Sequence, residues 1–201
     1  DIGKGEQFRP EFLAIAPNNR MPAIVDHAPA DGGAPVSLFE SGAILLYLAE
    51  KHGKFLPPQE SRGQLLSWLM FVATGVGPYA GQAVHFKHFS PEKLSYAHNR
   101  YQYETLRHWG ILDAHLAKNT YMVANTYTIV DMDVWGWVRM TPFILGDDAW
   151  AKFPNLKRLH DEIDGKPAAT KAKALKDLHP FKAEMDDEAR ANMFKHLATR
   201  V

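Results

Sequence analysis

Two short runs carry the clearest chemical signal in this sequence. Met21 and Pro22 lead into the β-prone residues 23–26, and an X–Pro bond is the one kind that adopts the cis form at modest cost. Glu40 and Ser41 open a strongly apolar helical pattern. A helix N-terminus offers unpaired N–H groups and a positive dipole end to an anion. Together the two runs predict a site that grips a small peptide by its main chain and by one acidic end.

A β-hairpin and a helix must position these residues. Residues 23–26 and 36–39 are short β-rich runs, and the turn signal at residues 30–33 between them predicts a hairpin. A helix is predicted over residues 41–52, because the apolar side chains share one side and Gly53 suits the position after its end.

The rest of the chain is predicted to be helical. Residues 55–60 form a linker, which divides the chain into a mixed α+β domain over residues 1–54 and an all-α domain over residues 61–201. Thr128 and Asp131 have the spacing of a capping box at the start of one helix. Helices are predicted over residues 61–73, 91–118, 128–141, 154–164 and 171–178.

The composition argues against several classes of protein. Basic and acidic residues number 23 each, which disfavours nucleic acid or an anionic membrane surface as a partner. The longest apolar run, residues 43–49, is too short to cross a bilayer. The 201 residues contain no cysteine, so they hold no disulfide, zinc–thiolate site or cysteine nucleophile. Any thiol chemistry must therefore use thiols that a ligand supplies.

The chain resembles a known family over nearly its whole length. Residues 17–26 (PNNRMPAIVD) and 38–53 (LFESGAILLYLAEKHG) are similar to the glutathione-binding domain of cytosolic glutathione transferases. Within that superfamily the chain most resembles the bacterial Nu class, relatives of the yeast prion nitrogen regulator. The similarity continues at residues 77–82, 100–104 and 127–131. It implies a thioredoxin-like first domain, partial in this chain, and an all-helical second domain.

The resemblance implies roles for the two opening runs. Glu40 would accept from the ammonium of the γ-glutamyl end of glutathione, and the Ser41 hydroxyl and amide would donate to its carboxylate. The backbone N–H and C=O of Met21, beside Pro22, would pair with the cysteinyl part in an antiparallel fashion. Without the family, Glu40 and Ser41 would fit a simple helix cap equally well.

Two further residues are implied as ligand contacts. Gln7 matches a glutamine that contacts the glycyl side of glutathione, although a loop glutamine is usually only solvated. Arg100 matches an arginine that reaches the ligand pocket from the helical domain, although Glu104 lies at the spacing of a helical ion pair. His85 and His88 suggest a metal pair, but no carboxylate follows at ligand spacing, so no metal is predicted.

The family also opens with a segment that this sequence does not contain. A strand, a helix and a second strand, about 30 residues, precede the point that matches Asp1. The Thr and Asn of the catalytic region are expected in that opening, so no catalytic residue is predicted here. Either the start is trimmed or disordered, or the protein is shortened and lacks its activating residue. We favour the first, because loss of the first strand would leave apolar surface and an unpaired sheet edge.

The Nu-like motifs imply a disulfide reductase or peroxidase that uses two bound glutathiones or oxidised glutathione. Two alternatives stay open: conjugation of glutathione to electrophiles, and a non-catalytic glutathione-binding interaction module. The family further implies a cytoplasmic homodimer with a role in detoxification. A helical stripe in the tail predicts a segment that closes over the cleft or packs at the dimer edge, and it consists of Ala189, Met193, Phe194 and Leu197.

Overall fold

The structure is a computed structural model that describes residues 1–179, 181–182 and 184–195. The chain forms two compact units, one of residues 1–44 with 170–201 and the other of residues 45–169. The expected fold class, a small N-terminal sheet with helices followed by a helical region, is confirmed. The division at the linker, residues 55–60, stays a prediction. Leu197 of the tail stripe lies outside the described residues.

The first unit contains the predicted hairpin. Strand β1 (Ala23–Asp26) pairs antiparallel with β2 (Val36–Phe39), and Ala23 lies opposite Phe39. Helix α1 (Pro10–Leu13) precedes β1. Helix α2 (Ser41–His52) begins two residues after β2 and has the bounds that the sequence predicts.

Two π-helical turns interrupt a long helical segment that continues to Phe89, beyond the helix predicted over residues 61–73. Helix α3 (Arg62–Phe71) runs through the π turn Val72–Val76 into α4 (Gly77–Val84), and a second π turn, His85–Phe89, follows. Pro78 has no N–H for the regular ladder. The preceding Gly77 N–H instead donates to Val72 O, which is the π-helical pattern.

Two glycines in this segment allow close packing against neighbouring helices. A Cβ on Gly75 would lie 2.5 Å from Nε2 of His108, and one on Gly77 would lie 2.8 Å from the Trp137 ring. Glycine therefore serves here as a packing surface and not as a helix breaker.

The remaining helices largely follow the predicted pattern. Their bounds are Ser95–Leu116 (α5), Ile129–Val138 (α6), Thr141–Leu145 (α7), Pro154–Asp164 (α8), Pro167–Leu178 (α9) and Asp187–Met193 (α10). Helix α9 starts at Pro167, four residues earlier than predicted, because proline is compatible with the first helical position. Among the described residues, no helix is long and apolar enough to cross a membrane.

The core of the second unit includes buried side chains of α3, α4, α5, α6 and α8. Its largest fully buried side chains include Leu65, Leu69, Trp109, Leu112 and Leu156. The Trp109 Nε1–H donates to Thr141 Oγ1 at 2.8 Å, so the buried indole keeps a hydrogen bond.

The predicted capping box at the start of α6 is present. Asp131 Oδ2 accepts from the Thr128 N–H at 2.8 Å, and Thr128 Oγ1 accepts from the Val130 N–H at 3.3 Å. Asp131 Oδ1 also accepts from the Met122 N–H at 2.8 Å. One buried carboxylate thus joins the loop before α6 to the helix itself.

Asp133, two residues further along α6, is buried without such partners. It is 6 % exposed, and no described residue forms a hydrogen bond or ion pair with it. Burial raises the pKa of its carboxyl from 3.8 to about 6. Between these values the folded protein binds more protons than the unfolded chain, so stability falls as the pH rises through this window.

Replacing Asp133 with asparagine is therefore expected to stabilise the protein in a pH-dependent way. Since each tenfold change in the proton equilibrium is worth about 1.4 kcal/mol, the gain in the free energy of unfolding is about 3 kcal/mol near pH 7.5 and about 1 kcal/mol near pH 4.5. Urea unfolding at both pH values measures it, with the exposed Asp147→Asn as control. Equal gains at the two pH values would contradict the prediction.

Candidate functional site

The predicted peptide-binding residues meet at one end of the hairpin. Because Ala23 pairs with Phe39, Pro22 and Glu40 flank the same end of the sheet. The Met21–Pro22 peptide bond is cis, as the sequence suggests. Met21 is 60 % exposed, and its N–H and C=O have no hydrogen-bond partner among the described residues. Its main chain is therefore accessible to an extended peptide.

The start of α2 supplies the charged end of this site. The first helical hydrogen bond runs from the Ile44 N–H to Glu40 O at 3.0 Å, which leaves the N–H groups of residues 41–43 without a helical partner. The Glu40 carboxylate is exposed, and neither it nor the Ser41 hydroxyl is paired within the part of the chain that the structure describes. Donors for an anion and an acceptor for a cation thus lie on adjacent residues.

Glu40 has a backbone conformation that the sequence did not indicate. Its φ is 70°, in the left-handed region that L-residues other than glycine rarely adopt. Such residues cost of order 1–3 kcal/mol and cluster at binding sites, where the surrounding structure holds them in place. A simple helix cap does not require this conformation, and the binding role of Glu40 stays a prediction.

Gln7 lies in a short 3₁₀ turn, Glu6–Phe8, and is buried, whereas a solvated loop residue would be exposed. Its Nε2 donates to Asn192 O at 3.3 Å, across 185 positions of the chain. Its Oε1 is buried and has no partner among the described residues. Sequence reasoning missed Asn192, because no local pattern signals a contact over this distance.

Arg100 lies on α5 in the second unit and forms the helical ion pair that was its alternative interpretation. Its Nη1 donates to Glu104 Oε1 at 2.8 Å, while Arg107 Nε donates to the other carboxylate oxygen at 2.8 Å. The hydrogen bond from Arg107 is the main cause that lowers the pKa of Glu104. The Arg100 side chain is about half exposed, and its contact with a ligand stays a prediction.

His88, in the second π turn, has a structural contact. The His88 Nε2–H donates to Phe143 O at 2.9 Å, and the two rings stack with centroids 4.0 Å apart. The described residues contain no group of three or more His, Asp or Glu placed to hold a metal ion.

Comparison with known proteins identifies the family. The family model of the glutathione S-transferase N-terminal domain matches residues 1–50, and that of the C-terminal domain matches residues 82–171. The chain belongs to the glutathione S-transferase family.

The chain is also similar to individual members of this family. The chain is 45 % identical over 196 residues to the disulfide-bond oxidoreductase YfcG of Escherichia coli, with 94 % of this chain and 84 % of the relative covered. A glutathione transferase from Pseudomonas putida, with one glutathione disulfide bound per subunit, matches with TM-score 0.78, 35 % identity and coverage of 85 % of this chain and 76 % of that one. One from Burkholderia graminis, with two glutathione molecules bound per subunit, matches with TM-score 0.80, 31 % identity and coverage of 91 % and 77 %.

Proposed function

We propose that this protein is a Nu-like, glutathione-dependent thiol–disulfide oxidoreductase that uses two bound glutathiones or glutathione disulfide. The observation that carries the proposal is a hairpin end whose peptide-binding groups have no partner among the described residues, in a stretch of 201 residues without cysteine. The relative named as a disulfide-bond oxidoreductase supports it, and so do the two related structures that hold glutathione disulfide or two glutathiones.

The binding roles follow from the chemistry of each group. Glu40 accepts from the γ-glutamyl ammonium, and Ser41 with the start of α2 donates to the adjacent carboxylate. The main chain of Met21, beside Pro22, pairs with the cysteinyl part, as a strand added to a sheet edge would. Gln7 contacts the glycyl side, and Arg100 binds a ligand carboxylate from α5.

The reaction is two consecutive thiol–disulfide exchanges. The thiolate of one glutathione attacks the substrate disulfide, which forms a mixed disulfide and releases one substrate thiolate. The second glutathione thiolate attacks the glutathione sulfur of that mixed disulfide and releases the other substrate thiolate. Two glutathione thiols are oxidised to one glutathione disulfide, and their two protons pass to the two substrate thiolates.

The same proposal includes three further properties that the resemblance to the family implies. Peroxide as an alternative oxidant, a role in detoxification and a cytoplasmic homodimer follow from the resemblance. Exposed apolar side chains of the second unit, Met70, Tyr96 and Tyr103, support a contact with another subunit.

The test is glutathione-dependent reduction of a small disulfide, coupled to glutathione reductase and NADPH. The protein is used with its natural N-terminus, established by intact mass. We expect turnover with the disulfide and little conjugation of a chloronitrobenzene by the same preparation. Conjugation without disulfide reduction would make the protein a conjugating transferase instead. Glutathione binding with neither activity would make it a binding module.

A further inference from the structure

The last described helix, α10, packs against the first residues of the chain through Asn192. Asn192 Nδ2 donates to Gly3 O at 3.0 Å, and the main-chain oxygen of Asn192 accepts from Gln7 Nε2 at 3.3 Å. Asn192 therefore holds both ends of the Gly3–Gln7 segment. The matched C-terminal family domain ends at residue 171, so this contact comes from a part of the chain that the domain does not include.

The backbone at Gly5 is shaped for this contact. Gly5 has φ of 73°, and a Cβ built on it would lie 2.9 Å from Asn192 Oδ1. The left-handed conformation favours glycine, and a Cβ here would also displace the Asn192 side chain. The turn around Gly5 and the Asn192 side chain thus fit each other closely.

Asn192 also fixes which end of the Gln7 amide is free. A carbonyl oxygen only accepts hydrogen bonds, so the Gln7 amide nitrogen must face Asn192 O. The amide oxygen Oε1 is then the group left without a hydrogen bond among the described residues, and it is buried. Buried acceptors in folded proteins are normally satisfied, so an unsatisfied one at a binding site indicates a missing donor.

We propose that Asn192 is a positioning residue for Gln7. By holding Nε2, α10 presents Oε1 of Gln7 as an acceptor for the amide N–H between the cysteinyl and glycyl parts of glutathione. The C-terminal segment thereby sets a preference for thiol peptides that carry a residue after cysteine. This inference rests on the proposed function, since it assumes that Gln7 lies on the glycyl side.

The test compares two ligands in the full-length protein by isothermal titration calorimetry. Glutathione has the cysteinyl–glycyl amide N–H, whereas γ-glutamylcysteine lacks it. Asn192→Ala keeps the main-chain oxygen but removes the hydrogen bond from Nδ2 to Gly3 O that fixes this oxygen opposite Gln7 Nε2. Glutathione binding is therefore expected to weaken about three- to tenfold, the worth of one neutral hydrogen bond. Binding of γ-glutamylcysteine is expected to stay unchanged. The exposed Arg190→Ala on the same helix is the matched control and should change neither.

A double-mutant cycle separates positioning from general support of the fold. In a Gln7→Ala background, Asn192→Ala should cause no further loss of glutathione affinity, because its effect passes through Gln7. Where Asn192→Ala does not fold, the isosteric Asn192→Asp, which cannot donate to Gly3 O, takes its place in the same cycle.

The outcomes distinguish this inference from the proposed function. Equal losses for the two ligands, additive losses in the cycle, or unchanged glutathione binding in Asn192→Ala would overturn the positioning role while wild-type disulfide reduction stands. Failure of the wild-type protein to bind glutathione would overturn the proposed function and this inference together.

Discussion

Replacing Glu40 with glycine is expected to weaken glutathione binding by about 10- to 100-fold without destabilising the fold. A hydrogen bond to a charged group contributes about 1.5–3 kcal/mol, and this variant removes the one that we propose between Glu40 and the γ-glutamyl ammonium. The same change relieves a left-handed conformation, at φ of 70°, that costs an L-residue about 1–2 kcal/mol. Glycine loses more backbone entropy on folding, about 0.5–1 kcal/mol, which offsets part of that gain. The melting temperature should therefore stay unchanged or rise.

A second variant separates charge from conformation. Glu40→Gln keeps the size of the side chain and the strained backbone but removes the negative charge, so it should weaken binding without raising stability. Glu11→Gln, an exposed residue of α1, is the matched control. Titration calorimetry with glutathione and thermal unfolding measure the two effects.

The ligand supplies a further check on the same contact. An analogue of glutathione without the γ-glutamyl amino group cannot donate to Glu40, so Glu40→Gln should bind it as well as the wild type does. If the variant loses equal affinity for glutathione and for this analogue, Glu40 does not contact the ammonium. The left-handed backbone would then serve only the start of α2.

Local sequence patterns predicted the hairpin and α2, because residues close together in the sequence determine both. The two β-rich runs and the turn signal at residues 30–33 gave the hairpin, and the apolar pattern with Gly53 gave both ends of α2. The pattern missed α4, because Gly75, Gly77 and Pro78 resemble helix breakers in sequence. Their helical state depends on partners distant in sequence, which fill the space that the missing side chains leave.

In the candidate site, too, local sequence patterns predict some features, and others depend on residues distant in sequence. The sequence named Met21, Pro22, Glu40 and Ser41, which are consecutive pairs at strand and helix boundaries, and the hairpin register brings them to one end of the sheet. It did not show the backbone strain at Glu40, because φ is set by the residues around it. Nor did it show the burial of Gln7, which depends on a contact across 185 positions.

Replacing Asp131 with alanine is expected to give the largest loss of stability, about 3–5 kcal/mol. The carboxylate accepts from two main-chain N–H groups, those of Met122 and Thr128, at 2.8 Å each. Both residues are at most 1 % exposed, so neither N–H can turn to water when its acceptor is removed. An unsatisfied buried donor costs about 1–3 kcal/mol, and this change creates two.

Two milder variants test the cause of that loss by urea unfolding. Thr128→Ala removes one half of the capping box but leaves both main-chain bonds to Asp131, so it should cost only about 1 kcal/mol. Asp131→Asn keeps a single acceptor oxygen, so its loss of stability should fall between those of Thr128→Ala and Asp131→Ala.

A loss of 3–5 kcal/mol is a large part of the 5–15 kcal/mol typical of a folded protein. If Asp131→Ala does not fold for this reason, the comparison of Thr128→Ala with Asp131→Asn tests the same cause. If Asp131→Ala costs no more than Thr128→Ala, water reaches the freed N–H groups and the buried carboxylate does not join the loop to α6. A larger loss for Asp131→Ala than for Thr128→Ala means that this carboxylate stabilises the core of the second unit. The Thr–x–x–Asp spacing in the sequence is then a structural signal, and it has no part in the proposed chemistry.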